Sequence, residues 1–192
     1  MNHKKLEEEL KTLTRIMEQT VAQCSPSINE IAESLVECFR KGNKVLLCGN
    51  GGSAADSQHM AAEFVNRFRM EREALPAIAL TVDTSVLTAI GNDSSYEFTF
   101  SRQVEALART GDILAAISTS GGSSNVLKAL DVARERGVKT VGFTGEEGRQ
   151  TMAPKCDLCL VVPSTDTPRV QEVHEFVWHV ICGMVEQALF AE

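Results

Sequence analysis

Long apolar runs and blocks of like charge are missing from this sequence. No hydrophobic stretch approaches the length of a transmembrane helix, and the opening Met-Asn-His-Lys-Lys-Leu-Glu-Glu-Glu contains no apolar signal core. The net charge of -7 is spread along the chain, which disfavours a broad nucleic-acid-binding surface. We therefore expect an unexported protein that binds neither membrane nor nucleic acid.

A disulfide framework is absent as well. The six cysteines lie scattered in apolar stretches, at positions 24, 38, 48, 156, 159 and 182. Cysteines in such surroundings are typical of buried, reduced thiols, so we expect a cytoplasmic protein. Cys156 and Cys159 form a C-x-x-C motif with no second pair at zinc-finger spacing. We therefore favour two packed thiols, on opposite faces of a strand, over a zinc site.

The chain has the size and composition of one globular domain. Its 192 residues are 43% apolar and 23% charged. Leucines and a methionine at three- and four-residue steps predict an amphipathic helix over about 4–23. Ser25-Pro26-Ser27 predicts a break, and Ser27 with Glu30 resembles the capping box of a second helix. We therefore expect one domain over 1–192, with two N-terminal helices over about 4–41 and a core over about 44–192.

Short apolar runs then alternate with helical patterns. The helical pattern after the first run continues through Phe68, and 84–90 and 97–108 also have helical patterns. The predicted strands are 44–48, 77–80, 113–117, 140–143 and 158–162. This alternation predicts an α/β fold of three α-β-α layers, with a five-stranded parallel sheet covered on both faces. Ligands of such sheets bind at the carboxyl ends of the strands, where the strand order reverses.

The last predicted helix, about 168–190, is apolar nearly all round. A terminal helix without a clear polar face is usually buried on more than one side. Together with the leucine-striped first helix, it predicts a homo-oligomer. The alternative is a helical cap packed within one chain.

Two loops rich in glycine and serine follow predicted strands. Residues 118–124 (Ser-Thr-Ser-Gly-Gly-Ser-Ser) combine hydroxyls and flexible backbone at a helix start, which favours a phosphate group, although capped turns have the same composition. Residues 49–54 loosely match a dinucleotide-binding fingerprint. The acidic residue that this fingerprint requires comes about ten residues late, at Asp83, so we interpret the loop as a substrate-binding turn.

Two pairs of polar residues share predicted helix faces. His59 and Glu63 are four residues apart, and Gln171 and His179 are eight apart. Their nitrogen and oxygen atoms could bind zinc if the two helices converged. Spacing alone favours a solvated His59–Glu63 pair and a core histidine at 179 over a metal site. His174 has no evident partner.

These motifs resemble, in order, the signatures of phosphoheptose isomerases of the sugar isomerase (SIS) fold. Residues 48–64 (Cys-Gly-Asn-Gly-Gly-Ser-Ala-Ala-Asp-Ser-Gln-His-Met-Ala-Ala-Glu-Phe) carry the first signature. Gly91-Asn92-Asp93, residues 118–121 and residues 169–179 carry the others. The resemblance covers essentially the whole chain.

The resemblance implies conversion of sedoheptulose 7-phosphate into D-glycero-D-manno-heptose 7-phosphate. That step is early in ADP-heptose synthesis for surface polysaccharide such as the lipopolysaccharide core. The resemblance also implies a homotetramer, a Zn²⁺ cofactor, and catalysis by Glu63 and His179. The implied metal ligands are His59, Glu63, Gln171 and His179. The implied substrate contacts are Asn50, Gly51, Gly52, Ser53, Asn92, Asp93, Ser118, Thr119, Ser120, Ser123 and Gln171.

The chain departs from the family pattern at two places. Gly122 stands where the family often has Asn, and Pro168 stands where some relatives have an acid, with Asp166 nearby. Neither change affects the implied metal ligands.

Two other functions are compatible with parts of the pattern. A non-catalytic SIS protein that binds the bacterial replication initiator has a similar glycine-rich loop and an Asn-Arg-Phe stretch like residues 66–68, but that group lacks the equivalents of Glu63 and His179. A sugar-phosphate sensor would use the same phosphate loop, yet the SIS pattern leaves no DNA-binding extension.

Overall fold

The computed structural model describes residues 3–191. Five strands form one parallel sheet, and six helices surround it. The strands are β1 Val45–Gly49, β2 Ala77–Ala79, β3 Ile113–Ser118, β4 Lys139–Gly145 and β5 Leu158–Val162. The helices are α1 His3–Arg40, α2 Gly52–Val65, α3 Thr84–Asp93, α4 Ser101–Leu107, α5 Ser124–Glu135 and α6 Thr167–Phe190.

The sheet has the order β2-β1-β3-β4-β5, with all neighbours parallel. The strand β2 is added to one side of β1, whereas β3, β4 and β5 follow one another on the other side. The strand order therefore reverses between β1 and β3. The segments that leave the carboxyl ends of β1 and β3 diverge there and form a crevice. The two loops rich in glycine and serine both lie at this switch point, as the sequence predicted.

Each face of the sheet has its own hydrophobic core because alternate strand residues point to opposite faces. On one face, Val45 and Leu47 pack with α1, α2 and α6. On the other, Leu46 and Cys48 pack with α4 and α5. The predicted three-layer α/β fold is therefore confirmed, and α2 and α6 lie together on one face.

The predicted break at Pro26 is wrong, since α1 is one helix of 38 residues. Proline in a helix interior costs about 3 kcal/mol. Here its ring is exposed, while Cys24 and Ile28 on the opposite face are buried in the same stripe as Ile16 and Ile31. Burial of that uninterrupted stripe against the core outweighs the local cost.

Two other helix predictions also need correction. The helix after β1 ends at Val65, three residues before Phe68. The predicted helix over 97–108 is divided into a short 3₁₀ turn at Tyr96–Phe98 and α4.

The two C-x-x-C thiols meet on one side of β4, not on opposite faces of a strand. A Cβ atom at Gly142 would lie 2.6 Å from the Sγ of Cys156 and 2.9 Å from that of Cys159. Glycine in β4 therefore leaves the space that both sulfur atoms fill. All six cysteines are free thiols.

None of the helices within residues 3–191 combines the length and the apolar character needed to cross a membrane. The last helix, α6, is buried along Val173, Val177 and Ile181, yet it leaves Phe176 and Val180 exposed.

Candidate active site

Three side chains from α2 and α6 meet on one face of the sheet. His59 and Glu63 lie one turn apart on α2, with His59 Nε2 3.1 Å from Glu63 Oε1. His179 on α6 brings its Nε2 to 3.3 Å from the Nε2 of His59. One ligand atom from each of the three residues lies within 4.8 Å of the other two. The structure thus brings together residues 120 positions apart in sequence.

The spacing of these atoms fits a zinc ion. In a tetrahedral site with bonds of about 2.05 Å, neighbouring ligand atoms lie about 3.3 Å apart. Two of the three separations, 3.1 and 3.3 Å, match that edge length, and the third, between Glu63 and His179, is within 4.8 Å. Imidazole nitrogen and carboxylate oxygen are also the donors that zinc takes in catalytic sites, where three protein ligands leave a position for substrate.

Gln171 is on the same helix as His179 but takes a different partner. The two residues are eight apart, about 12 Å along the helix axis. Gln171 Nε2 donates to Asp56 Oδ1 at 2.9 Å, and its amide lies against Gly52, where no Cβ would fit. The amide oxygen is the polar atom that this hydrogen bond leaves available.

Asp56 is a buried carboxyl that the sequence analysis did not single out. It is 1% exposed, and its Oδ2 has no hydrogen-bond partner among the described residues. Burial raises its pKa to about 6, with Gln171 acting in the opposite direction. Asp56 lies one turn before His59 on α2. Its hydrogen bond with Gln171 joins α2 to α6.

The predicted phosphate loop connects β3 to α5. Gly121 adopts a φ of 66°, and its N–H donates to the Ser118 carbonyl at 3.0 Å, which closes a tight turn. Ser118 Oγ donates to Ser123 Oγ at 3.1 Å. The Ser123 side chain does not cap α5, and the Val126 N–H donates to Asn125 Oδ1 at 3.0 Å, so the N–H groups of Ser124 and Asn125 stay available to an anion.

A second network fixes the loop after β1. The amides of Asn50 and Asn125 form reciprocal hydrogen bonds of 2.8 and 2.9 Å. The Tyr96 hydroxyl donates to Asn50 Oδ1 at 3.0 Å, and Asn125 also donates to Thr99. Asn125 is 2% exposed. It therefore ties the phosphate loop to the Asn50 loop, a role that its position after a Ser/Gly-rich loop did not reveal.

The other implied substrate contacts vary in environment. Ser53 is buried at the start of α2, whereas Gly51, Gly52 and Ser120 are exposed. Asn92 and Asp93 end α3, where Asn92 donates to Asp93 at 2.7 Å. Both are exposed, and no hydrogen bond within residues 3–191 joins them to the other implied contacts.

A buried ion pair lies next to the three-residue group. Arg72 Nε donates to Glu186 Oε1 at 2.8 Å, and the two side chains are 1% and 3% exposed. The ring of Phe68 stacks on that of His179, with centroids 5.6 Å apart and an interplanar angle of 12°. This ion pair was not predicted from the sequence, because a glutamate near the end of a helix is ordinarily solvated.

His174 lies outside the crevice. It is fully buried, its Nε2 lies 3.3 Å from the Thr144 carbonyl oxygen, and Phe143 packs edge-on against it. Burial lowers its pKa to about 4. His174 is therefore a neutral core residue at physiological pH.

Comparison with known proteins identifies the family of this arrangement. Residues 10–145 match the SIS domain. A phosphoheptose isomerase of Roseiflexus sp. is 57% identical over 185 residues, which cover 96% of this chain and 93% of the relative.

Solved structures agree. That of a phosphoheptose isomerase from Neisseria gonorrhoeae superposes with a TM-score of 0.90 at 38% identity, covering 96% of this chain and 98% of the other. One from Francisella tularensis gives the same TM-score at 35% identity, covering 97% and 100%. The chain belongs to the phosphoheptose isomerases of the SIS-domain family, and it is a sugar-phosphate isomerase of the aldose–ketose type.

Proposed function

We propose that this isomerase converts sedoheptulose 7-phosphate into D-glycero-D-manno-heptose 7-phosphate, an early step toward ADP-heptose for surface polysaccharide such as the lipopolysaccharide core. The family resemblance suggests this substrate. The observation that carries the proposal is the meeting of His59, Glu63 and His179, in a chain whose neutral β3–α5 loop leaves helix N–H groups open to an anion. We place the reaction in the cytoplasm, in keeping with six free thiols.

His59, Glu63 and His179 would hold Zn²⁺, with the Gln171 amide oxygen as the proposed fourth ligand. Bound zinc would supply Lewis-acid polarisation of the substrate oxygens and stabilise the negative charge of the enediolate. The 3.1 and 3.3 Å separations and the mixed nitrogen and oxygen donors support this assignment.

Glu63 is the proposed base. Ketose-to-aldose isomerisation removes a proton from C1 and returns one to C2 through an enediol, and a single carboxylate placed near both carbons can do both. His179 is the proposed acid, which moves protons to and from the O1 and O2 oxygens. The two side chains come from different helices, so they can approach the reacting carbons from different directions.

The loop of residues 118–123 would bind the phosphate at the far end of the sugar. The seryl and threonyl hydroxyls and the first N–H groups of α5 are neutral donors, which suits a phosphate monoester. Asn50 and the glycines of the β1–α2 loop, together with Asn92 and Asp93, would contact the sugar hydroxyls. Binding energy at the phosphate fixes the position of the reacting carbons.

We also propose a homo-oligomer, with the tetramer as the expected state. Leu6 and Leu10 on α1 are 68% and 63% exposed, and Phe176 and Val180 on α6 are 37% and 39% exposed. Apolar side chains arranged at helical spacing on two long helices form surfaces that a second copy can bury.

Turnover of sedoheptulose 7-phosphate by the purified protein tests the proposed reaction. We expect a chelator to abolish turnover and Zn²⁺ to restore it. Mg²⁺ added back at the same concentration is the control, because its preference for oxygen ligands suits this site poorly. No turnover in the zinc-loaded protein would refute the substrate assignment. Turnover that resists chelation would refute the zinc assignment alone.

A further inference from the structure

The carboxylate of Glu186 organises the segment that follows α2. It accepts backbone N–H bonds from three successive residues: Phe68 at 2.8 Å, Arg69 at 2.9 Å and Met70 at 3.1 Å. It also accepts the Arg72 Nε–H at 2.8 Å. Glu186 is 2% exposed, so this network holds an otherwise irregular stretch against α6.

Arg72 extends the same network to the end of α2. Its Nη2 donates to the Glu63 carbonyl at 2.7 Å, and its Nη1 donates to the Phe64 carbonyl at 2.9 Å. Carbonyl groups in the last turn of a helix lack intrahelical partners, so these bonds cap α2. One of the capped carbonyl groups belongs to Glu63 itself.

Phe68 links the segment to the third member of the group. Its ring stacks on His179 and also packs over Gly183, one turn further along α6. Glu186 lies seven residues after His179, which places both residues on the same face of α6. The ion pair therefore connects the backbone of Glu63 to the helix that carries His179.

We propose that the Glu186–Arg72 pair is a positioning device for the metal centre. It sets the separation between the ligands on α2 and the ligand on α6, while Phe68 restrains the His179 ring. This inference rests on the proposed zinc site. Groups that orient metal ligands from outside the coordination sphere typically contribute about tenfold to a hundredfold to metal affinity.

Glu186→Gln tests the pair with little change of side-chain shape. We expect its affinity for Zn²⁺, measured by competition with a chromogenic chelator, to fall about tenfold to a hundredfold. Bound to Co²⁺, the variant should show a visible absorption spectrum different from that of the wild-type protein, because the geometry around the ion changes.

Asp112→Asn is the matched control. Asp112 is also 2% exposed, pairs with Lys44, and accepts the backbone N–H groups of Lys44 and Arg109 at 3.0 and 2.8 Å. It lies at the amino end of β3, the opposite end of the sheet from the crevice. Both variants should lower the melting temperature of the metal-free protein, but only Glu186→Gln should lower the affinity for Zn²⁺.

Three outcomes are distinguishable. Equal Zn²⁺ affinity in Glu186→Gln and wild-type protein, or equal losses in Glu186→Gln and Asp112→Asn, would overturn the inference. If Glu186→Gln does not fold, Phe68→Leu takes its place: it removes the stacking on His179 from a half-buried position, and an unchanged Co²⁺ spectrum would count against the inference. A wild-type protein that binds no Zn²⁺ would instead refute the proposed metal centre.

Discussion

Gly121 and Gly122 are neighbours in the phosphate loop, yet their surroundings differ. Gly121 has a φ of 66°, and a Cβ atom there would overlap the Cα of Gly148 and lie 3.0 Å from Thr144 Oγ1. Gly122 is exposed, has no positive φ, and its Cβ would come no closer than 3.8 Å to Ser120 Oγ. Substitution by alanine should therefore be destabilising at Gly121 and nearly neutral at Gly122.

The expected loss for Gly121→Ala follows from two terms. The left-handed conformation costs a residue with a side chain about 1–2 kcal/mol, and insertion of a methyl group into a packed backbone contact costs about 1–3 kcal/mol. Alanine also lowers the conformational entropy of the unfolded chain, which offsets about 0.4–1 kcal/mol of this loss. We expect a net loss of about 3 kcal/mol for Gly121→Ala. Gly122→Ala should leave the free energy of unfolding within about 1 kcal/mol of wild type.

Urea denaturation followed by circular dichroism measures both changes. The Michaelis constant for the sugar phosphate should rise in Gly121→Ala, because the shifted backbone moves the donors for the phosphate group. Gly122→Asn, which introduces the residue common in the family, should behave like Gly122→Ala in stability. Equal unfolding midpoints for the Gly121 and Gly122 variants would refute the reasoning.

Three further changes have definite expected results. Glu63→Gln should abolish turnover with an unchanged melting temperature, and near-normal activity would contradict its role as the base. Leu10→Glu, which places a charge at a residue 63% exposed in the single chain, should reduce the mass measured by sedimentation, unlike Lys11→Glu on the polar face. For His174, the native pKa of about 4 is depressed from 6.5, so the stability it provides is present above pH 6.5 and is lost as pH falls to about 4. That loss is about 3 kcal/mol in urea titrations, and His174→Asn should reduce it.

The sheet and both loops were predictable because their signals are local. Each strand is a short apolar run, and alternation with helices is enough to predict parallel pairing. The reversal between β1 and β3 then locates the crevice. The pairing of His59 with Glu63 also follows from helical spacing.

The rest of the site depends on contacts between distant segments. Nothing in the spacing places His179 within 3.3 Å of His59, and only the family resemblance predicted it. Asn125 and Glu186 are polar residues whose partners lie far away in the sequence. Asn125 pairs with Asn50 in the β1–α2 loop, and Glu186 on α6 pairs with Arg72. Helix periodicity describes which face a residue occupies, but it does not reveal what covers that face.

The uninterrupted α1 bears on the proposed oligomer. A break at Pro26 would let residues 3–23 fold back onto their own domain and cover their leucines there. Because the helix is continuous, and because Leu13 is its first apolar residue packed against the core, about 15 Å of it extends beyond the core. Leu6 and Leu10 therefore cannot reach the hydrophobic cores of the same chain without breaking α1. The failed prediction at Pro26 thus favours a partner chain, not an intrachain cap, as the cover for this apolar stripe.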